Sequence, residues 1–208
     1  SECRAEAGKD ITVQTNLLEA RYLAGNRALF QHMVRGQRAL LDPAAFFQAK
    51  LLEQQVRHGR HADVAMLLEP NLKESPGGLR DLHTLMWVSQ AAGLGCKLSD
   101  LARAGLLNDK EARSLATELS FLSHLRIRLH LIANRREDRM LFEFQEGVAA
   151  AMGVVPHPPR RASERLMQHY YRAARHIRLI NELGLGELRS RLLSKDPTSP
   201  LPYTPHFR

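Results

Sequence analysis

The chain has 208 residues, 44% of them hydrophobic and 25% charged, with 30 basic against 22 acidic side chains for a formal charge of +8. That apolar share is too high for a disordered protein, and 13 Gly with 10 Pro is neither collagen-like nor low-complexity. A chain of this length is expected to form one domain, or one domain plus appendages. No stretch reaches the roughly 18 apolar residues of a membrane span and the N-terminus has no apolar signal core, so neither membrane insertion nor targeting is expected. Cys3 and Cys96 lie far apart with no CxxC spacing, which argues against a disulfide framework and a zinc site and fits a reducing cytoplasm. The arginines are interleaved with acids along the whole chain, a solvated-surface pattern without aromatic-interleaved basic patches, so nucleic acid is not an expected partner.

Apolar residues recur at three- and four-residue steps almost everywhere, which predicts an all-α fold. Asp10 to Val13 is the one short β-favouring stretch; a helix of about three turns is expected after it, through Leu17, Leu18, Ala20, Tyr22 and Leu23 to the terminating Gly25. Asn26 is read as the cap of a helix carrying Leu29, Phe30, Met33 and Val34. Asp42, with Pro43 at the first helical position, caps another running through Phe46, Phe47, Leu51, Leu52 and Val56. From Met66 to Arg80 the pattern breaks at Pro70, Pro76, Gly77 and Gly78, which predicts an ordered loop, and a helix starts near Leu79 and runs to Gly93.

Ser99 and Asp100 open a short helix, and Asn108 or Asp109 opens a long one to about Asn134. Within it LRIRLHL, residues 125 to 131, alternates like a strand; the wider window keeps helical steps from Leu115 to Ile132 without Gly or Pro, so helix is the reading. A helix from Leu141 to Met152 precedes Gly153 and a proline cluster. The last helix starts at Arg161 or Ser163, and Leu166, Tyr170, Ala173, Ile177 and Ile180 give it a bundle seam that Gly184 and Gly186 are expected to weaken. Tyr170 joins the seam and the adjacent Tyr171 faces elsewhere, both as packing residues. The expected architecture is an up-and-down helical bundle over 66–193, with extra N-terminal helices in 1–65 and a flexible tail from 194 to 208.

Nucleophile elbows, P-loops, dinucleotide fingerprints, HExxH and paired DxD carboxylates are all absent, so no catalytic residue and no metal ligand is assigned. His58 and His61 are the best-spaced metal candidates, but without a third ligand they read as a solvated pair. The exception is EPNLKESPGGLRDLHTL, from Glu69 to Leu85. Gly77 and Gly78 allow close backbone approach, Lys73 precedes them, and Arg80 follows at a helix N-terminus, an arrangement suited to phosphate. Lys73 offers a point charge and Arg80 a planar fork, while Asp81 either holds Arg80 in place or caps the helix. A tight turn with no ligand accounts for the same residues.

As a pattern, Asn71, Lys73, Glu74, Pro76, Gly77, Gly78, Leu79, Arg80, Asp81, Leu82, His83 and Thr84 resemble the NxKExPGGLRDLHT segment of bacterial PII uridylyltransferase/uridylyl-removing enzymes. DITVQTNLLEARYLAG from Asp10 to Gly25 and ERLMQHYYRAA from Glu164 to Ala174 carry the resemblance onward, over essentially residues 1 to 190. The glutamine-synthetase adenylyltransferases have a related KxGxGGxRD element and remain an alternative.

The resemblance implies the helical companion of a nucleotidyltransferase core, similar to a nucleotidyltransferase substrate-binding domain. The Mg²⁺-binding carboxylates of that core and the HD-type hydrolase of the family have no counterpart in these residues, so the fragment alone is expected to be inactive. It further implies UTP as substrate, PII as protein partner and glutamine as effector of the whole enzyme. Lys73, Gly77, Gly78 and Arg80 are then the expected nucleotide or phosphate contacts, Arg21 a secondary one on the face of its predicted helix opposite Glu19, and Asp81 a loop-ordering residue. A non-catalytic helical interaction module is the competing reading.

Overall fold

The computed structural model describes residues 10–61 and 68–193. The expected tail from 194 and the expected boundary at 65/66 lie outside those residues. Among the described residues the chain is all-α, with eight helices: α1 (Ile11–Leu18), α2 (Arg27–Arg38), α3 (Pro43–Arg60), α4 (Leu79–Ala91), α5 (Leu98–Arg103), α6 (Asp109–Ala133), α7 (Phe142–Ala151) and α8 (Ala162–Leu193). Local chemistry sets most boundaries. Asn26 accepts from Leu29 N at 3.0 Å and Asp42 accepts from Ala44 N at 2.9 Å, each satisfying an amide that a helix start leaves free. Asn108 and Glu111 cap α6 reciprocally, and Asn134 closes it with φ of 50°.

Helix α8 is the spine. It packs against α4, α6 and α7, while α3 lies against α4 and α5 against α6. The predicted seam is buried throughout: Leu166, Tyr170, Ala173, Ile177 and Ile180 all face the core. Residues 125–131 are helical, and Leu122, Leu125 and Leu129 are fully buried. Phe46 and Phe47 of α3 belong to the same hydrophobic cluster as Leu82 and Leu85 of α4 and Ile177 of α8. In contrast, α2 buries no residue, and its Leu29 is 68% exposed.

Three expectations are corrected. Asp10 to Val13 is not a strand: Asp10, itself extended, caps α1, accepting from Thr12 N at 2.6 Å, so the β-branched Ile11, Thr12 and Val13 enter a helix that their own preferences disfavour. That helix also stops at Leu18 rather than near Leu23, because α4 holds the following residues: Gln90 Nε2 donates to Leu18 O at 2.9 Å and Trp87 Nε1 to Glu19 Oε1 at 2.7 Å. Glu19 and Arg21 therefore do not share a helix. Finally, Gly184 and Gly186 do not interrupt α8, which continues to Leu193. A Cβ on Gly184 would lie 2.9 Å from Leu85 Cδ1, so that glycine admits the α4 side chain. The short helix α5 begins at Leu98, with Lys97 rather than Ser99 at its cap.

Candidate functional site

The loop from Glu69 to Gly78 is ordered by its own polar groups. Asn71 Oδ1 accepts from Lys73 N at 3.0 Å and Glu74 N at 2.8 Å, and Asn71 N donates to Ser75 Oγ at 3.0 Å. Leu72 N donates to Asp138 O at 2.8 Å and Met140 N to Pro70 O at 2.9 Å, which fastens the loop to the segment after α6. Leu72 and Met140 are fully buried beneath these bonds.

The two glycines face inward. Gly77 has φ of +79°, and a Cβ there would lie 2.1 Å from Ala174 O on α8. At Gly78 a Cβ would meet the carbonyl oxygens of Ser75, Leu72 and Lys73 within 2.9 Å. Their amides are also engaged: Gly77 N donates to Asp81 Oδ2 at 2.7 Å and Gly78 N to Ser75 O at 2.8 Å. Leu79 N, Arg80 N and Asp81 N donate to Leu72 O, Lys73 O and Gly78 O at 3.1, 2.9 and 3.1 Å. The start of α4 thus spends its amides within the chain, and what it presents outward is side chains.

Asp81 is fully buried and organises this turn. Its carboxylate accepts from Arg57 Nη2 at 2.6 Å, from the Gly77 amide, and lies 2.9 Å from His58 Nε2. Burial alone would raise its pKa, but His58, Arg57 and the Gly77 N–H together hold it below its ordinary value. Arg57 also donates to Glu74 O at 3.0 Å, so α3 clamps the loop from one side while Ala174 supports it from the other. Asp81 does not take Arg80 as its partner. His58 is thereby a structural ligand of Asp81, and among the described residues no group of three His, Cys, Asp or Glu could hold a metal ion.

Lys73 and Arg80 converge instead on Glu74, whose Oε1 lies 3.2 Å from Lys73 Nζ and 3.4 Å from Arg80 Nη2. Burial opposes the Glu74 charge, yet Arg80 and Lys73 hold its pKa down. The Arg80 guanidinium lies 5.2 Å from the centre of the Trp87 ring, which Lys50 approaches at 4.9 Å. His83 stands among these cations: burial, then Arg80, with smaller effects of Lys73 and Arg126, push its pKa below 6.5 against the opposing Glu19. On the α6 side, Asp138 accepts from Arg126 Nε at 2.5 Å and lies 3.2 Å from His130 Nε2, and Lys73 also acts on it electrostatically.

Of the residues singled out in the sequence, the fold brings Lys73 and Arg80 together, places Gly77, Gly78 and Asp81 beneath them, and leaves Arg21 exposed between α1 and α2. Arg57, Glu74, His83, Trp87 and Arg126 join them unannounced. Glu74 and His83 were within the recognised segment, whereas nothing in local spacing shows that α3 and α6 supply Arg57 and Arg126.

The fold and this cluster define an all-α module with a cation-rich helix start. The family described as GlnD PII-uridylyltransferase matches residues 45–184, and the chain belongs to it. It is 51% identical over 206 residues to the bifunctional uridylyltransferase/uridylyl-removing enzyme of Thiobacillus denitrificans, covering 99% of this chain and 24% of that protein. The proteins of the same description from Chromobacterium violaceum and Nitrosospira multiformis are 50% and 49% identical, covering 94% and 92% of this chain and 23% and 22% of their own length. The chain thus spans about a quarter of the curated relatives it matches. No solved structure matches it.

Proposed function

We propose that this chain is the helical part of a uridylyltransferase that moves UMP from UTP to a tyrosine of the PII signal protein, and that Lys73 and Arg80 contact the phosphates. The observation that carries the reading is that these two cations, one from the loop and one from α4, aim at the same carboxylate oxygen of Glu74. A geometry that holds a carboxylate between an ammonium and a guanidinium also suits a phosphate oxygen. Membership of the uridylyltransferase family supplies the reaction class.

In that reaction the tyrosine oxygen bonds to the α-phosphorus of UTP, the bond to the β-phosphate oxygen breaks, and pyrophosphate leaves. Negative charge grows on the leaving group, and fixed cations stabilise it. The role of Lys73 and Arg80 is to exchange Glu74 for the incoming phosphates, while Asp81, Gly77 and Gly78 keep the loop in place. Arg21 serves as a secondary contact only when the rest of the enzyme is present. Among the described residues no group of three His, Cys, Asp or Glu could hold a metal ion; in this reading the rest of the enzyme supplies the Mg²⁺, the uridylyl-removing activity and the response to glutamine, and the enzyme works in the cytoplasm.

A second reading, a non-catalytic interaction module, is favoured by one fact: the glycines pack inward and the amides of the turn are already satisfied. The two readings part on transfer rate. In the complete enzyme, Lys73→Ala and Arg80→Ala should each lower uridylyl transfer to PII by about tenfold or more, since a hydrogen bond to a charged group is worth about 1.5–3 kcal/mol. Wild-type rates in both would leave only the scaffold.

A further inference from the structure

Helix α4 carries more than the cation cluster. Arg80, His83, Trp87 and Gln90 follow one another in steps of three, four and three, so they form a single stripe along one face. Trp87 stands in its middle, 5.2 Å from the Arg80 guanidinium and 5.6 Å from the His83 ring, and donates to Glu19 at the end of α1. Gln90, about 15 Å along the axis from Arg80 at 1.5 Å per residue, reaches a cavity of about 300 Å³ between α1, α2 and α4.

That cavity lies at the lower end of the size range of ligand pockets, roughly 300–1,000 Å³. Leu17 and Leu18 of α1, Val34 of α2 and Leu41 beyond it give apolar walls, and Gln37 and Gln90 bring amides to the same space. Gln90 Nε2 is committed to Leu18 O at 2.9 Å. Gln37 Nε2 is not: it is buried and has no acceptor among the described residues. A buried N–H₂ left unpaired at the edge of an apolar space is a built demand for an acceptor oxygen.

We infer that this cavity is the nucleobase pocket of the nucleotide whose phosphates lie at Lys73 and Arg80, and that it takes uracil. The inference rests on the proposed uridylyl-transfer reading. A planar ring with carbonyl oxygens on two edges meets both features: its faces lie against the leucines and valine, and a carbonyl accepts from Gln37. The stripe fixes the relation of the two ends, with the phosphates at the first turn of α4, the base beside its last turn, and the Trp87–Glu19 pair between them.

The test titrates the complete enzyme by calorimetry with uridine, which has no phosphate, with adenosine, and with inorganic triphosphate, in the wild type, Gln37→Leu and Val34→Phe. The expected result is a saturable change with uridine that is weaker with adenosine, roughly tenfold weaker in Gln37→Leu from loss of one hydrogen bond and absent in Val34→Phe, while triphosphate binds all three alike. Uridine binding that ignores both substitutions, or no uridine binding where triphosphate binds normally, overturns the pocket and leaves the phosphate reading standing. Failure of triphosphate as well overturns both.

Discussion

Gly77 is the residue on which the loop turns. Its positive φ disfavours any side chain, and the space a Cβ would need is taken by the Ala174 backbone, which cannot swing aside as a side-chain tip would. Gly77→Ala should therefore destabilise the chain by about 2–5 kcal/mol, from backbone strain and overpacking together, measurable by urea denaturation. Asp81 bears on pH. Its folded pKa lies below the ordinary 3.8, so its contribution is full above that value and fades as pH falls through the folded pKa. Glu74 and Asp138 are lowered likewise and act in the same sense. His83, lowered from 6.5, gives up stability as pH falls below 6.5, because the unfolded chain then takes the proton more readily. Glu118 opposes them: burial raises its pKa, so its contribution is largest at low pH and is lost as pH rises through the folded value. Asp10, Asp100 and Glu137 are lowered as well, so the groups that lose stability as pH falls outweigh Glu118, and thermal unfolding should show a melting temperature that falls first below about pH 6.5 and again below about pH 4.

The helices differ in what their exceptions mean. Gly184 admits Leu85, but Gly186, in the same helix, has nothing within 4 Å of the place a Cβ would occupy. Gly186→Ala should stabilise α8 by about 0.5–1 kcal/mol, a rise of a few degrees in melting temperature, whereas Gly184→Ala should show no such gain because Leu85 must move. One turn before Gly184, Asn181 is 1% exposed and neither its Oδ1 nor its Nδ2 has a partner among the described residues. An unpaired buried amide costs about 1–3 kcal/mol, so Asn181→Leu, which keeps the branched shape in a larger, apolar side chain, should raise the melting temperature. An unchanged or lower value would mean that the amide is hydrogen-bonded in the folded protein.

At the scale of the molecule, the fold was legible where periodicity and capping residues agree: α3, α4, α6, α7 and the seam of α8 all follow from steps of three and four bounded by Asp, Asn, Gly and Pro. It was illegible where tertiary bonds override local preference. Nothing near Leu18 says that Gln90 and Trp87, some seventy residues on, will hold the chain there and end α1. The same reason divides the candidate site. Lys73, Arg80 and Asp81 sit within a dozen residues and could be read together, but Arg57 and Arg126 come from other helices, and only packing shows that Asp81 turns to α3 while Arg80 turns to Glu74. The glycines were legible as a special turn, though the close approach they permit is to Ala174.

In the proposed function Lys73 and Arg80 release Glu74 to take the phosphates of a nucleotide. The most direct measurement is the affinity of the complete enzyme for UTP in the wild type, Arg80→Ala and Glu74→Gln. Arg80→Ala should weaken binding about tenfold or more, while Glu74→Gln, which removes the competing carboxylate and keeps its shape, should bind UTP at least as tightly as the wild type. Equal affinity in all three, with folding intact, would contradict it and leave the cluster as a brace for the loop.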